Sequence, residues 1–551
     1  MAELLHFAYH HHPSFVFMTD DDGTERYIND VYMQSMDIAR SLVYSDLKDV
    51  ILFTENTPRQ VTVLLGTMIM GGRVSMVYHN SSQKTCAHIA EQTQSKIAFV
   101  DSYERYDMMS RLVDRVVLIN DEASWTDFSA LGRCGPFPGA PEPHVPKTRS
   151  NDCCVIIYTS GTTGLPKGVM LSHDNIMFSA NAHIENNPVL LSEPMRVVSH
   201  LPMSHIGALM NDVFVPLTCI CQGQHATLFF SKETLTDTLP RVRPTMLFCV
   251  PRIWEKLAND AKCIDRALDS ITHRIMKQMC TTGHRNRQVG GYSYLKRIDV
   301  FARLYMRSRI LRELGLDKVN LPLTGGACTS THLLDYFGSI GLDILGAYGM
   351  SELMGVQTVS RPDFFIDGYA GIPVPGTEVR VHETTGELWF RGRQVTQGYI
   401  NRGPCVDGDG WFHTGDLGEI HASGHIKILG RLDDTIVTST GNKIIPEPIE
   451  SRLLKECGYD LDRAVIVGHG EKYICALLAL KRGGDVSKVL KGVDSYNSMY
   501  AASRTEKIRR VSLIVLDGDD VTPTNKIKRS TVLNRYSDSI KAMYYDVNGP
   551  R

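Results

Sequence analysis

No run of the 551-residue chain is apolar for long enough to cross a bilayer. The most apolar stretch, VTVLLGTMIMGG, stops after roughly a dozen residues at Arg73, where roughly 20 are needed. A transmembrane helix is therefore not expected. The N-terminus, MAELLHFAYHHHPSFVFMTDDDG, lacks a charged start, an apolar middle and a small-residue cleavage site, so secretory export is not expected either. An excess of either charge is also missing: 59 Lys and Arg stand against 61 Asp and Glu, a net charge of -2, which argues against general nucleic-acid affinity. The 13 cysteines are odd in number, and Cys153-Cys154 and Cys219-Ile220-Cys221 fit neither the C-x-x-C zinc spacing nor a small disulfide scaffold. Reduced cytosolic thiols are the expected state. His10, His11 and His12 are consecutive, so a regular element cannot turn all three to one ion, and a solvated terminus is expected there.

What remains is the pattern of a multidomain α/β protein. Short β-branched runs such as SKIAFVD, RVVLIND and CCVIIYTS alternate with stretches of helical spacing such as TPRQVTVLLGTMIMGG, which predicts α/β layers with buried strands. From about Gly371 the alternation GIPVPGTEVRVHETTGELWFRGRQVTQGYI, broken by Pro-Gly and Thr-Gly turns, predicts a small β-rich unit. A further change at GRLDDTIVTSTGNKIIPEPIE opens a smaller α+β part, giving expected domains of 1–430 and 431–551. Between Arg241 and Lys318, 17 Lys and Arg face 7 Asp and Glu. That segment reads as a solvated helical surface or as one drawn to anionic membranes or cofactor phosphates.

Four short stretches carry chemistry. In YTSGTTGLPKGVMLSH, glycines let backbone N–H groups close on a ligand, hydroxyls donate to anionic oxygens, and Lys167 adds a mobile charge. This is not the Walker loop G-x-x-x-x-G-K-[ST], since Pro166 stands where its second glycine would be and Gly168 follows Lys167. AYGMSE, after the strand-like LDIL, offers Tyr348 for stacking on a base, Ser351 for a phosphate and Glu352 for Mg²⁺, although in isolation a buried tyrosine and a surface glutamate explain it better. GWFHTGDLGEI sets Asp416 after a Thr-Gly turn, where it either accepts two ribose hydroxyls or caps the turn. TPTNKIKRS presents Lys526, on its own a solvated lysine.

Together and in this order, the four stretches resemble the adenylate-forming superfamily of acyl-CoA synthetases, luciferases and peptide-synthetase adenylation domains, from roughly Val16 to about Tyr545. RPTMLFCVPRIWEKL, YGMSELMG, GNKIIPEPIE and TPTNKIKRSTVLNRYSDSIKAMYY look most like long-chain fatty acyl-CoA synthetases of the bubblegum type. The resemblance implies that a fatty carboxylate attacks the α-phosphorus of Mg·ATP and that CoA then displaces AMP from the acyl-adenylate. It implies that Thr159, Ser160, Gly161, Thr162, Thr163, Gly164 and Lys167 hold the β- and γ-phosphates, Ser351 the α-phosphate and Glu352 the magnesium. Gly325, Gly326 and Ala327 match the strip against adenine, with Tyr348 stacking, while Asp416 and Arg431 match a ribose clamp. His205 resembles the histidine beside the reacting carboxylate, though a lone His is more often a core residue, and Trp254 resembles the aromatic gate of an acyl tunnel, with a buried Trp that packs a helix start as the equal alternative. Lys526 matches the lysine of the first half-reaction, and Asp433 the hinge about which a mobile C-terminal domain turns.

ATP, CoA and a fatty acid are thus the expected partners, in the cytoplasm, with peripheral membrane contact left open. Two departures matter. The chain begins almost at its first structural element, where bubblegum-type proteins usually carry a longer N-terminal region. TSTGNK puts Thr440, Asn442 and Lys443 where relatives more often show Gly-Gly-Glu, so the resemblance reaches adenylation more securely than thioester formation. The alternatives are a medium-chain or aryl acid ligase, a luciferase-like oxygenase sharing the first step, or a non-catalytic nucleotide- or acyl-binding pseudoenzyme. A peptide-synthetase module is disfavoured, because only 25 residues follow Lys526 and no carrier domain fits there.

Overall fold

A computed structural model describes residues 2–135, 144–145, 147–159, 165–268, 270–288, 296–521 and 527–545. Of the expected site residues, Ser160, Gly161, Thr162, Thr163, Gly164 and Lys526 lie outside this set. The described chain is mixed α/β, and it divides into two compact units. The first comprises Met1–Val379, Phe390–Phe412 and Ala422–Ile426, and the second Arg380–Trp389, His413–His421 and Lys427–Arg551.

The first unit is built on three sheets. In the seven-stranded sheet, Asp49–Phe53 is flanked in parallel by Arg73–Met76 and Ile97–Val100, and Arg115–Leu118 and Cys153–Thr159 extend it in parallel on either side. These are the β-branched runs of the sequence, and they read as continuous apolar blocks because both faces are covered. The longest apolar run is the helix Pro58–Ile69. Thr57 caps it by accepting from the Gln60 N–H, and nearly every one of its residues is buried. Its chemistry is that of a core helix, and among the described residues no helix is long and apolar enough to cross a membrane. The N-terminal residues are more ordered than a solvated end: Ala2–His11 is a helix that buries Leu5 and Ala8, leaving the histidine cluster on its outer side.

A five-stranded sheet places Met246–Cys249, Leu321–Thr324 and Leu345–Met350 side by side and parallel, followed by the antiparallel Gly355–Val359. The third strand starts at Leu345, the last residue of LDIL, and just before it Asp343 bonds through its side chain to His284 and Arg287 of the helix Ile271–Arg287. The third sheet joins Val16–Thr19, Glu25–Tyr27, Ala226–Phe230 and Met195–Ser199.

The second unit takes most of a four-stranded sheet, Glu378–Val381, Glu387–Arg391, Phe412–Ile420 and Ile426–Arg431, which is the β-rich stretch expected after Gly371. It continues into a three-stranded sheet of Leu461–Val467, Ile474–Leu480 and Ile508–Ile514. Alternation along the first of these strands sends Ala464 and Ile466 to one apolar cluster and Val465 and Val467 to another, with Pro446–Cys457 and Val486–Met499 on one side and Ser537–Tyr544 on the other. All thirteen cysteines are free thiols.

Candidate active site

The carboxyl ends of parallel strands are where α/β sheets bind ligands. Here three adjacent ends deliver three of the expected features. Met246–Cys249 leads into the helix Pro251–Ala267 with Trp254, Leu321–Thr324 into Gly325, Gly326 and Ala327, and Leu345–Met350 carries Tyr348 and runs into Ser351 and Glu352. A Cβ at Gly325 would stand 3.0 Å from the Ala347 carbonyl oxygen and 3.2 Å from the Phe248 ring, so a side chain there would crowd the adjacent strand. Gly326 has φ +81°, a conformation side chains resist, and it and Ala327 are exposed, forming a bare strip of backbone. The half-buried Tyr348 ring lies 5.9 Å from the Phe390 ring.

Ser351 and Glu352 begin the short turn Ser351–Leu353, and both are buried. The Tyr399 hydroxyl donates to Glu352 Oε1 at 2.9 Å, and the Thr396 N–H to the Glu352 main-chain carbonyl at 2.8 Å. Burial first, and then the Glu352 charge, push the Tyr399 phenol well above its usual range, so it stays a proton donor. The Cys405 thiol nearby is pushed up to about 11 by burial and by Glu352, which keeps it uncharged.

Lys167 completes this group. It opens the strand Lys167–Ser172, antiparallel to Cys153–Thr159 with Thr159 opposite Lys167, and its Nζ lies 5.7 Å from the centre of the Tyr399 ring. The Thr159 hydroxyl donates to the Lys167 carbonyl at 3.5 Å. The loop therefore joins strand to strand, whereas a Walker loop joins strand to helix, which is why its lysine cannot be a helix-borne charge. A Cβ at Gly168 would stand 2.9 Å from Ile400 and 3.0 Å from Ile156, so that strand can begin only with a glycine after the lysine. A buried carboxylate, a donor hydroxyl at Ser351 and a lysine within one group are hard oxygen and cationic partners that suit Mg²⁺ held between a carboxylate and phosphates.

His205 is joined to the same edge. It caps the helix Ile206–Leu209, with Nδ1 accepting from the Gly207 N–H at 3.2 Å, an assignment that puts the ring proton on Nε2. The Phe248 ring stands 3.3 Å from where a Gly207 Cβ would be, so Phe248 touches both the His205 turn and the Gly325 strip. A cavity of about 10 Å³, room for about one water, lies beside it, lined by Val197, Leu201, Asn211, Asp212, Met246 and Phe248.

Trp254 takes the structural one of its two readings in this conformation. It is fully buried, its indole N–H donates to the Leu323 carbonyl at 3.1 Å, and its ring meets Phe337 edge-on at 5.3 Å. In the second unit the structure brings Asp416 and Arg431 together at 3.1 Å. Asp416 lies within the strand Phe412–Ile420 rather than after a turn: the strand runs on through Gly415, at φ +71°. Asp433 is exposed, two residues beyond the strand that ends at Arg431.

Sequence reasoning missed Tyr399, Thr396 and Phe248. The only signal for the first was Gly398 before it, at φ +124° and 2.1 Å, counted from its would-be Cβ, from the Gly403 carbonyl.

Residues 6–400 match the model of the AMP-binding enzyme family, and residues 433–548 that of the AMP-binding enzyme C-terminal domain. The chain belongs to the AMP-binding enzyme family. It is 30% identical to long-chain-fatty-acid–CoA ligase ACSBG2 of Gallus gallus over 92% of this chain and 76% of that one. Against long-chain-fatty-acid–CoA ligase ACSBG1 of Homo sapiens it is 28% identical over 89% and 77%. These relatives are of the bubblegum type. Among solved structures, ATP-bound MatB from Rhodopseudomonas palustris superposes with a TM-score of 0.75 at 21% identity, covering 98% of this chain and 99% of that one. The anthranilate CoA ligase AuaEII with anthranoyl-AMP gives 0.75 at 16% identity over 98% of each. Both share the fold.

Proposed function

We propose that the protein is a long-chain fatty acid–CoA ligase, which activates a fatty acid as an acyl-adenylate and transfers the acyl group to CoA. The observation that carries this reading is the match of 92% of the chain to a protein of that name. The site geometry agrees with it. A fatty carboxylate oxygen bonds to the α-phosphorus of ATP as the bond to pyrophosphate breaks; the CoA sulfur then bonds to the acyl carbon, its proton is lost, and AMP leaves.

Attack of an anion on a polyanion needs charge to be neutralised and the partners to be oriented. Glu352 would hold Mg²⁺, which when bound offsets charge on the phosphates. Thr159, the loop through Gly164, and Lys167 would grip the phosphates that leave, and Ser351 the one that is attacked. Tyr348 and the strip of Gly325, Gly326 and Ala327 would take adenine, and Asp416, oriented by Arg431, the ribose hydroxyls. His205 would stand by the reacting carboxylate with a neutral ring. Lys526 would neutralise the acyl and α-phosphate oxygens in the first step only, with Asp433 as the hinge of a C-terminal part from residue 431 that turns between steps. Trp254 can gate an acyl chain only by giving up Leu323 and Phe337, so acyl entry there would require a local opening. Thirteen free thiols support a reducing, cytoplasmic setting.

The test is ATP–pyrophosphate exchange and thioester formation with acids of increasing length. Each buried methylene contributes roughly 0.8 kcal/mol, so kcat/KM should rise about threefold to fourfold per carbon until the pocket ends. A preference for acetate or an aromatic acid overturns the long-chain reading. Lys526→Ala should abolish exchange yet spare transfer from preformed acyl-adenylate to CoA.

A further inference from the structure

The helices Ile271–Arg287 and Lys296–Met306 form an antiparallel hairpin: His273 near one start lies 6.1 Å, ring to ring, from Tyr305 near the other end, and Arg287 pairs with Asp299 at the opposite extremity. The inward face is a finished core surface. Cys280, Ala302 and Met306 are buried in an apolar cluster, Lys277 pairs with Asp265, and Arg287 and Arg303 pair with Asp343.

The outward face is unlike an ordinary solvated one. Ile271 is 77% exposed, Ile275 52%, Val300 52%, Phe301 72% and Leu304 57%. They repeat at i and i+4 on the first helix and at i, i+1 and i+4 on the second, so each helix turns one apolar stripe outward. Isolated exposed apolar residues are commonplace, but five on one hairpin ask for a partner. Arg274, Arg285, Arg309 and Arg312 are exposed on the same two helices and their continuation. Of the eight Lys and Arg in residues 270–288 and 299–312, Lys277, Arg287 and Arg303 pair with acids on the inward side and Arg307 bonds to backbone carbonyls, so the charge of the outward side is that of the four exposed arginines.

The chemistry of this face selects its partner. An apolar protein surface has no use for the arginines, and a nucleic acid none for an exposed Phe, Leu and Ile. An anionic bilayer satisfies both sets at once, with apolar side chains at the headgroup–acyl boundary and guanidinium groups among phosphates. We propose that this hairpin face docks the protein peripherally on anionic membrane surfaces. That a bilayer then delivers the acid rests on the long-chain reading; the docking surface does not.

The experiment is co-sedimentation of the full chain with vesicles of phosphatidylcholine alone and of phosphatidylcholine with phosphatidylserine. The unchanged protein should bind the second kind in low salt and release from it in high salt. Phe301→Ser with Leu304→Ser should weaken that binding at least tenfold, and Arg285→Gln with Arg309→Gln by roughly fivefold per charge. Both pairs should keep their circular dichroism and their rate of thioester formation with dissolved octanoate. Loss of that rate in the unchanged protein overturns the ligase reading, whereas vesicle binding by the variants equal to the unchanged protein overturns the docking surface. So does a dimer that Phe301→Ser with Leu304→Ser dissociates while vesicle binding stays constant, since the face would then belong to a second copy.

Discussion

Asp343 and Glu352 stand at the two ends of one strand, Leu345–Met350, and both are buried, at 6% and 7% exposure. Their surroundings differ. On Asp343 converge His284, at 2.7 Å, and the guanidinium groups of Arg287, at 2.9 Å, and Arg303, at 3.3 Å. His284 in turn reaches Asp367 with its other nitrogen at 2.8 Å, so the group is a dense lattice of alternating charge. On Glu352 the structure puts a neutral tyrosine hydroxyl. A buried carboxylate wrapped in cations is a structural pin, whereas Glu352, beside Ser351 in the turn the strand runs into, is the carboxylate that the proposed function gives to Mg²⁺. On the proposed function the strand is tied down at its entry and chemically equipped at its exit.

The largest effect should come from cutting the pin. Asp343→Asn leaves three cationic groups facing a neutral amide, and breaking a buried pair costs about 3–5 kcal/mol, to be read as a fall in the urea midpoint. The folded fraction should keep its turnover. The pH dependence has a sign on each side. The lattice raises His284 to about 9 despite its burial, so its stabilisation is full below about pH 6.5 and is lost as pH rises through 9. Asp343 is held far below the usual carboxylate range by the same partners, overcoming burial, so its share is present above about pH 4 and lost in acid. The melting temperature should therefore decline on both sides of that window in the unchanged protein, and less steeply on the alkaline side in His284→Phe.

At the other end, Glu352→Gln should do the reverse. On the proposed function the Glu352 charge positions the metal and phosphates, and losing such a charge typically costs about 3–4 kcal/mol of transition-state stabilisation, or around 10²–10³ in rate, with unfolding shifted by less than about 1 kcal/mol. Should Glu352→Gln prove the less stable protein and Asp343→Asn the less active, the assignment of pin and site would be interchanged.

A third buried acid sharpens the contrast. In the second unit, Glu447 accepts from the Arg431 N–H at 3.3 Å and fills the space a Gly430 side chain would need. Burial and the neighbouring Glu450 raise it to about 7, with Arg529 offsetting only part, because that arginine is already bonded to Glu450. A raised carboxyl stabilises the fold fully below about pH 4.5, and that stabilisation erodes as pH climbs towards 7. Glu447→Gln should accordingly raise stability by roughly 1–2 kcal/mol at pH 8 and leave it unchanged near pH 4.5. An equal gain at both pH values would mean that packing, not titration, sets the effect.

How far this was legible in the sequence follows from distance along the chain. The strands, the buried helix Pro58–Ile69 and the short site stretches are local patterns, and Gly325 through Ala327 and Tyr348 through Glu352 fell where parallel strands end. Tyr399 was not legible, because what makes it matter is a carboxylate 47 residues earlier in the chain. The lattice around His284 joins residues 59 and 83 positions apart, and no spacing rule connects them. Asp416 was placed on a turn since Thr-Gly usually marks one, yet here the glycine sits inside the nine-residue strand Phe412–Ile420, whose extent a local Thr-Gly signal does not reveal.

The smallest effect concerns the lysine that shares the site end of the comparison. Lys167 Nζ lies over the Tyr399 ring, 5.7 Å from its centre, and a cation over an aromatic face is worth about 0.5–1 kcal/mol where it is partly exposed. Lys167→Ala should therefore lower stability by less than about 1 kcal/mol and raise the KM for Mg·ATP several-fold, with kcat close to unchanged, because backbone N–H groups and hydroxyls of the same loop still hold the departing phosphates. Tyr399→Phe separates the two contributions: the ring stays under the lysine while Glu352 loses its hydroxyl donor. If the lysine serves ground-state binding alone, Tyr399→Phe and Lys167→Ala should each be mild and together roughly additive in free energy. A collapse of kcat in Lys167→Ala would instead mean that its charge acts on the transition state, and the chemically equipped end of the strand would then rest on Lys167 as much as on Glu352.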